Sequence, residues 1–211
     1  MDYGLAFTYL PNSSKNWISK AAMGVVFALC IPILGLGSIA LAGWGIAIAR
    51  HVIHGDEDVL PEWSELGPII IDGLKFAVLL FIWFLPLWIL TAINAFIDQG
   101  FVNILISCCT FLYGLPFSIL LLGAFGSLAS DQSYAEALNP MNAYKVVSAN
   151  WATTIITFLV AAVGYFAAAL VGTILCGIGI LIGIPYGISL MGHLYGQLYR
   201  ESQGPAKAAV A

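Results

Sequence analysis

The chain has 211 residues, 61% of them hydrophobic and 9% charged, with a mean hydropathy of +0.96; soluble domains carry about 25% charged residues. Seven Lys and Arg stand against eleven Asp and Glu, a net charge of -4. That balance excludes a basic nucleic-acid-binding stripe, and no cluster of Lys or Arg supplies a polybasic lipid-binding tail.

Asp, Glu, Lys and Arg are absent from 21–49, 76–97, 99–130 and 146–199. A hydrocarbon core about 30 Å thick takes roughly 20 apolar residues per helix. The chain therefore reads as an all-α, polytopic transmembrane bundle, one membrane domain over 1–211. Four full spans are expected, plus a first apolar segment that is either re-entrant or a fifth span.

Residues 1–20 carry Tyr3, Phe7, Tyr9 and Trp17 with Lys15 and Lys20, a composition suited to an interfacial lead-in or a partly ordered tail. Polar Asn12 to Asn16 argue against a secretory signal peptide. The first apolar segment, 21–49, is interrupted by Pro32, Gly35 and Gly37. Residues 50–75 form an acidic loop in which Leu60-Pro61-Glu62-Trp63 predicts a short helical turn with Pro at its first position. Asp72 and Lys75, at i,i+3, predict an ion pair on the helix leading into the span 76–97, with Pro86 as a kink.

Asp98-Gln99-Gly100 predicts a tight turn, and 101–129 the next span, kinked or broken near Gly114-Leu115-Pro116. In the loop 130–150, Ser133-x-x-Glu136 is a capping-box pattern, and Asn139-Pro140 an N-cap followed by Pro at N1. Short amphipathic helices are expected there. The long run 146–199 requires two helices, because one would be about 80 Å long. They are placed at 152–172 and 179–199, with a turn near Gly172–Gly179 and a polar tail over 200–211. A weak repeat runs through these segments: Asn16-Trp17 matches Asn150-Trp151, and apolar-Pro steps recur at Pro32, Pro116 and Pro185.

The basic residues decide the topology. A single span over 21–49 divides them five against two. A hairpin turning at Pro32–Gly37 places all seven on one side, which the positive-inside rule favours. Each arm would hold about 15 residues, roughly 22 Å, short of the core thickness. Irregular backbone at membrane depth must be shielded by protein, so Pro32–Gly37 should be packed. In both topologies Arg50, the two polar loops and the C-terminus face the cytoplasm.

Small residues recur every four positions: Gly164, Ala168 and Gly172, then Gly179, Gly183 and Gly187, then Gly192 and Gly196. Such stripes let helix backbones approach closely. Packing within the monomer is preferred over an oligomer seam. Cys30, Cys108, Cys109 and Cys176 lie in apolar segments without C-x-x-C spacing and read as small apolar residues rather than disulfide or zinc ligands. His51-x-x-His54 followed by Asp56, Glu57 and Asp58 has divalent-metal spacing, but a solvated loop is the preferred reading. His193 is an ionisable group in an apolar segment, with either a functional role or a hydrogen bond to a neighbouring helix. No HExxH, GxSxG or P-loop is present.

The arrangement Gly43-Trp44, Arg50, Gly55-Asp56, Leu60-Pro61-Glu62-Trp63 and Asp72-Gly73-Leu74-Lys75 resembles domain-of-unknown-function family 4013, a family of prokaryotic integral membrane proteins. Met1-Asp2-Tyr3-Gly4, Ala6-Phe7 and Ala137-Leu138-Asn139-Pro140 fit it too. The resemblance extends over nearly the whole chain. It implies a prokaryotic membrane location and no particular activity. More basic residues would be expected around Arg50, where His51 and His54 stand.

The resulting expectation is a non-catalytic integral membrane protein, an accessory, assembly or organising component of a membrane complex. No catalytic residue, metal or cofactor is assigned. Partners are membrane lipids and a protein partner or second copy, with no nucleic acid. Arg50, Asp56, Leu60, Pro61, Glu62 and Trp63 form the expected docking loop. Transport of a small solute or lipid, including scrambling, is the alternative.

Overall fold

The structure is a computed structural model that describes residues 1–12, 16–32, 35–56, 58–96, 100–130, 132–174 and 178–203. The described elements are all helical: α1 (Tyr3–Asn12), α2 (Trp17–Leu29), α3 (Leu36–His54), a 3-10 turn (Trp63–Glu65), α4 (Leu66–Asn94), α5 (Gly100–Ala129), α6 (Tyr134–Leu138), α7 (Pro140–Ser148), α8 (Trp151–Ile174) and α9 (Ile178–Ser202). Four of them, α3, α4, α5 and α8, are long and apolar enough to cross a membrane. The chain is a multi-pass membrane protein.

α3 is the central helix. Eleven of its residues are buried, from Gly37 to Val52, and α2, α4, α5 and α9 pack around it. α9 runs beside it, with Gly192 against the Gly45 backbone and Gly196 against Ala49. The span expected over 179–199 falls on α9. Tyr186, Ser189, His193 and Gln197 make it more polar, and enclosure by its neighbours makes that tolerable. α3, from the first apolar segment, is also of spanning length. Lipid-facing surface is concentrated on α4, α5 and α8, where Phe81, Trp88, Phe111, Leu112, Val163 and Phe166 are exposed.

The first apolar segment is a helical hairpin of unequal arms. α2 has 13 residues and α3 has 19, where equal arms of about 15 were expected. The close approach of Gly37 to the Phe27 carbonyl, with Leu41 in van der Waals range of Gly24, sets the two helices antiparallel, and Gly24 itself seats against Pro185 of α9. Gly35 starts α3 at φ 72, a left-handed conformation that disfavours other residues. Among the described residues of the expected shielded stretch Pro32–Gly37, Gly37 is buried while Pro32 and Leu36 are exposed. At 1.5 Å per residue the 19 residues of α3 make about 28 Å, close to the thickness of a hydrocarbon core.

Elsewhere the chain departs from simple span boundaries. α4 is one helix from Leu66, so Asp72 and Lys75 lie within it and Pro86 does not end it. α5 continues through Pro116, so of the kink or break expected there the break does not occur. Tyr113 Oη donates to the Trp83 carbonyl at 2.8 Å, and Ser118 Oγ to the Gly114 carbonyl at 2.7 Å. Such side-chain donors support helix backbone near membrane prolines. The capping box at Ser133 and Glu136 and the Asn139 cap with Pro140 at N1 are both present. Asn150 Oδ1 caps α8 by accepting from Thr153 N–H at 3.2 Å, whereas Asn16 makes no side-chain cap on α2. The expected turns at 98–100 and 172–179 and the tail 200–211 fall largely outside the described residues.

The described basic residues gather at one end of the bundle. Lys20 meets the 58–62 loop, Arg50 and Lys75 share Asp72, and Arg200 Nη1 donates to the Val52 carbonyl at 3.3 Å. Lys145 lies on α7, whose Ala143 backbone packs on Gly123 near the same end of α5.

Candidate functional site

At this loop end, α3 stops at Gly55, which has φ 78 and whose N–H reaches the His51 carbonyl. The chain that follows folds back over α2. Lys20 is only 3% exposed. Its ammonium lies 3.1 Å from Asp58 and 3.0 Å from Glu62 and donates to the Leu60 carbonyl. Trp63 Nε1 donates to the Lys20 carbonyl at 2.8 Å. The Trp63 ring stacks on Phe27 at 4.7 Å and Trp44 at 5.4 Å. A buried cation is costly unless paired and hydrogen-bonded, and this loop supplies both.

Of the six docking residues expected here, Leu60, Pro61 and Trp63 are buried. They anchor the loop and are not available as contact surface. Arg50 is half-buried and pairs with Asp72 at 2.8 Å. Asp56 and Glu62 are exposed, as is Asp58. The helical turn begins at Trp63, two residues later than expected, because Glu62 is extended. The expected Asp72–Lys75 pair is present at 3.3 Å, and Arg50 makes it a three-residue network.

Beside the loop is a polar cleft of about 480 Å³ lined by Asp2, Asp56, His193, Gln197, Arg200 and Glu201, among others. His193 is buried and stacks on Tyr9 at 4.4 Å. Asp2 N–H donates to Gln197 Oε1 at 3.0 Å, which orients that amide. Gln197 Nε2 is then the donor to His193 Nδ1 at 3.2 Å, leaving the imidazole proton on Nε2. His193 is thus tied into the α1–α9 contact. His51 Nδ1 lies 2.6 Å from Asp56. Among the described residues, no group of three or more His, Cys, Asp and Glu is placed to hold a metal.

The small-residue stripes lie at helix contacts inside the chain. A Cβ on Gly164 would strike Leu190, one on Gly183 the Ala168 carbonyl, and one on Gly187 the Tyr165 ring. Gly192 and Gly196 seat α9 on α3. Gly179 is buried, and the surroundings of Gly172 lie outside the described residues. A second, apolar cleft of about 750 Å³ lies among α1, α2, α8 and α9, with Gly164, Ala168, Gly179, Gly183 and Trp44 in its lining.

Two features were not expected. Lys20 entered the sequence reading only as a topology marker. Gly43 and Gly73 were quoted for resemblance alone, yet they make the closest crossing, where α3 meets α4 backbone to backbone. The G-x-G of Gly43 and Gly45 is the signal that marks α3 as a helix packed on two sides. Cys108 and Cys109, expected to pack, are exposed on α5, and Cys176 lies outside the described residues.

The family model described as "Protein of unknown function (DUF4013)" matches residues 25–177, more than half of the chain. The chain belongs to the DUF4013 family. No curated protein and no solved structure matches it. The DUF4013 match takes in the Lys75, Asp72 and Arg50 network, the anchored loop and the Gly43–Gly73 crossing. It is shorter than the resemblance expected from sequence: Met1 to Phe7, Lys20 and all of α9 lie outside it.

Proposed function

We propose that this DUF4013 chain is a non-catalytic membrane protein, an accessory or organising component that presents its 55–65 loop to a partner. The observation that carries this reading is the anchoring of that loop. Lys20, Trp63 and Leu60 hold its backbone against α2 and α3, while Asp56, Asp58 and Glu62 remain exposed. A charged surface held in one conformation loses little entropy when a partner binds. The gathering of the described basic residues at the loop end supports a cytoplasmic orientation of that end in a prokaryotic plasma membrane. The short α2 beside a span-length α3 supports a hairpin that enters and leaves on that side.

The test is affinity purification of the whole chain from its own membrane in mild detergent, beside an Asp56→Asn/Glu62→Gln variant. The expected result is one stoichiometric membrane partner retained by the parent chain and lost from the variant, both remaining folded. A parent chain that purifies without a protein partner overturns the reading. The lateral apolar cleft would then favour the second reading, lipid or small-solute movement, which liposome flux measures directly.

A further inference from the structure

The polar cleft beside the loop carries bonding capacity that the fold leaves open. Val52 and His193 are its buried residues, and Asp2, Asp56, Arg200 and Glu201 form an exposed rim. Asp56 is engaged by His51, and Glu201 by the Met1 amine. Asp2 and Arg200 have opposite charges and line the same cleft, yet neither forms an ion pair with any described residue. One Asp2 oxygen accepts from Leu5 N–H at 2.8 Å, and Arg200 gives one N–H to the Val52 carbonyl. The rest of the guanidinium fork has no acceptor. His193 adds a further donor. Gln197 donates to its Nδ1, so Nε2 carries the proton, and Nε2, which the fold does not seal, meets no acceptor. The stack on Tyr9 holds the ring in place.

We infer that this cleft binds a small zwitterion, a primary ammonium joined to an oxyanion, with the ammonium at Asp2 and the oxyanion at Arg200 and His193 Nε2. A simple anion would meet the carboxylates of the rim, and a simple cation would meet the guanidinium. A zwitterion satisfies both charges at once and gives the buried imidazole its acceptor. The volume of about 480 Å³ lies within the roughly 300–1,000 Å³ usual for ligand pockets. Two sources share this chemistry: the headgroup of an ethanolamine phospholipid and a free α-amino acid. Leu5, exposed in the lining, offers the glycerol and chains of a lipid an apolar way out. The inference does not rest on the docking reading, which is tested at Asp56 and Glu62; this site is tested at Asp2, Arg200 and His193.

The experiment has two arms. In the first, the whole chain is placed in bilayers of equimolar phosphatidylethanolamine, phosphatidylcholine and phosphatidylglycerol, extracted gently, and the lipid it retains is weighed by native mass spectrometry. Phosphatidylcholine has the phosphodiester with no N–H on its ammonium, and phosphatidylglycerol has it with no ammonium. In the second, the chain in phosphatidylcholine bilayers alone is dialysed against radiolabelled L-alanine. One bound molecule per chain is expected, and the arm that shows it names the source: phosphatidylethanolamine enriched over both other lipids, or saturable binding of alanine. Asp2→Asn, which still accepts from Leu5 N–H, and Arg200→Gln should each weaken that binding about threefold to tenfold, the worth of a charged hydrogen bond discounted for the exposed rim. His193→Phe keeps a ring on Tyr9 and should weaken it as well. Lys145→Gln, exposed on α7 and outside the cleft, should leave it unchanged. Each variant is checked for the elution and helical circular dichroism of the parent chain. Even retention of the three lipids together with no binding of alanine overturns the site. Binding that survives both Asp2→Asn and Arg200→Gln overturns it too.

Discussion

The ammonium of Lys20 lies 3.1 Å from the carboxylate of Asp58, and the two are 38 residues apart in the chain. This contact joins the start of α2 to the loop after α3 and closes the hairpin at its open end. Its asymmetry matters: Lys20 is buried, while Asp58 and Glu62 are exposed. Removing the cation therefore leaves no buried charge behind.

Lys20→Met should keep the side-chain volume and release the loop. The loss comes mainly from the buried ammonium-to-carbonyl bond at Leu60, about 1–3 kcal/mol, because the exposed carboxylates are screened. Hydrogen exchange in detergent should rise at the amides of Trp63 to Leu66 and stay unchanged in α8. Unaltered exchange at Trp63 would show that the stacked rings hold the loop without the cation.

Gly43→Ala should be far more damaging than its size suggests. Its added Cβ meets the Ile69 carbonyl and the Gly73 nitrogen, backbone atoms that yield only if α3 and α4 separate. Overpacking of this kind costs about 1–3 kcal/mol or more, and the variant should lose its monodisperse elution in detergent. Gly67→Ala is the control, with nothing within 4 Å of its Cβ. It should match the parent chain or gain up to about 1 kcal/mol. Equal behaviour of the two variants would contradict the close crossing.

What the chain showed before its structure depended on the range of the interaction. Lipid forbids scattered charge, so the charge-free runs located the apolar helices. Caps are local, so Ser133, Glu136, Asn139 and Pro140 were readable from spacing of three residues or fewer. The helix that carries Asp72 and Lys75 into the span was readable as well, but the third member of their network, Arg50, lies 22 residues from Asp72 and was not. The inward turn of Trp63 was hidden for the same reason: Lys20 and Phe27 hold it from another helix. The docking loop was therefore found as a segment, but with its buried and exposed residues unsorted.

Trp63 separates anchoring from docking. Trp63→Phe keeps a ring against Phe27 and Trp44 and loses only the bond to the Lys20 carbonyl, about 1 kcal/mol. Trp63→Ala removes the ring from the core and should cost about 3–5 kcal/mol. Any partner captured by the parent chain should remain with Trp63→Phe and be lost only when the loop unfolds, as in Trp63→Ala. A partner lost with Trp63→Phe at unchanged thermal stability would mean that Trp63 touches it directly.

Asp72 is the last point of leverage. It is 9% exposed and holds two cations, Arg50 at 2.8 Å and Lys75 at 3.3 Å. Lys75 is 44% exposed and can turn to water or headgroups, so Lys75→Met should cost at most about 1 kcal/mol. Asp72→Asn leaves the guanidinium of Arg50 two-thirds buried with no countercharge. Loss of one partner from a fully buried pair costs about 3–5 kcal/mol; the partial exposure of Arg50 lowers the expected figure to about 1–3 kcal/mol. Adding Arg50→Met to Asp72→Asn should then recover stability, because the orphaned charge is gone. Thermal unfolding of Asp72→Asn, Arg50→Met and their double variant in detergent measures the coupling. A double variant as unstable as the sum of the singles would show that Arg50 and Asp72 act independently, and that the loop end of α4 is held by packing alone.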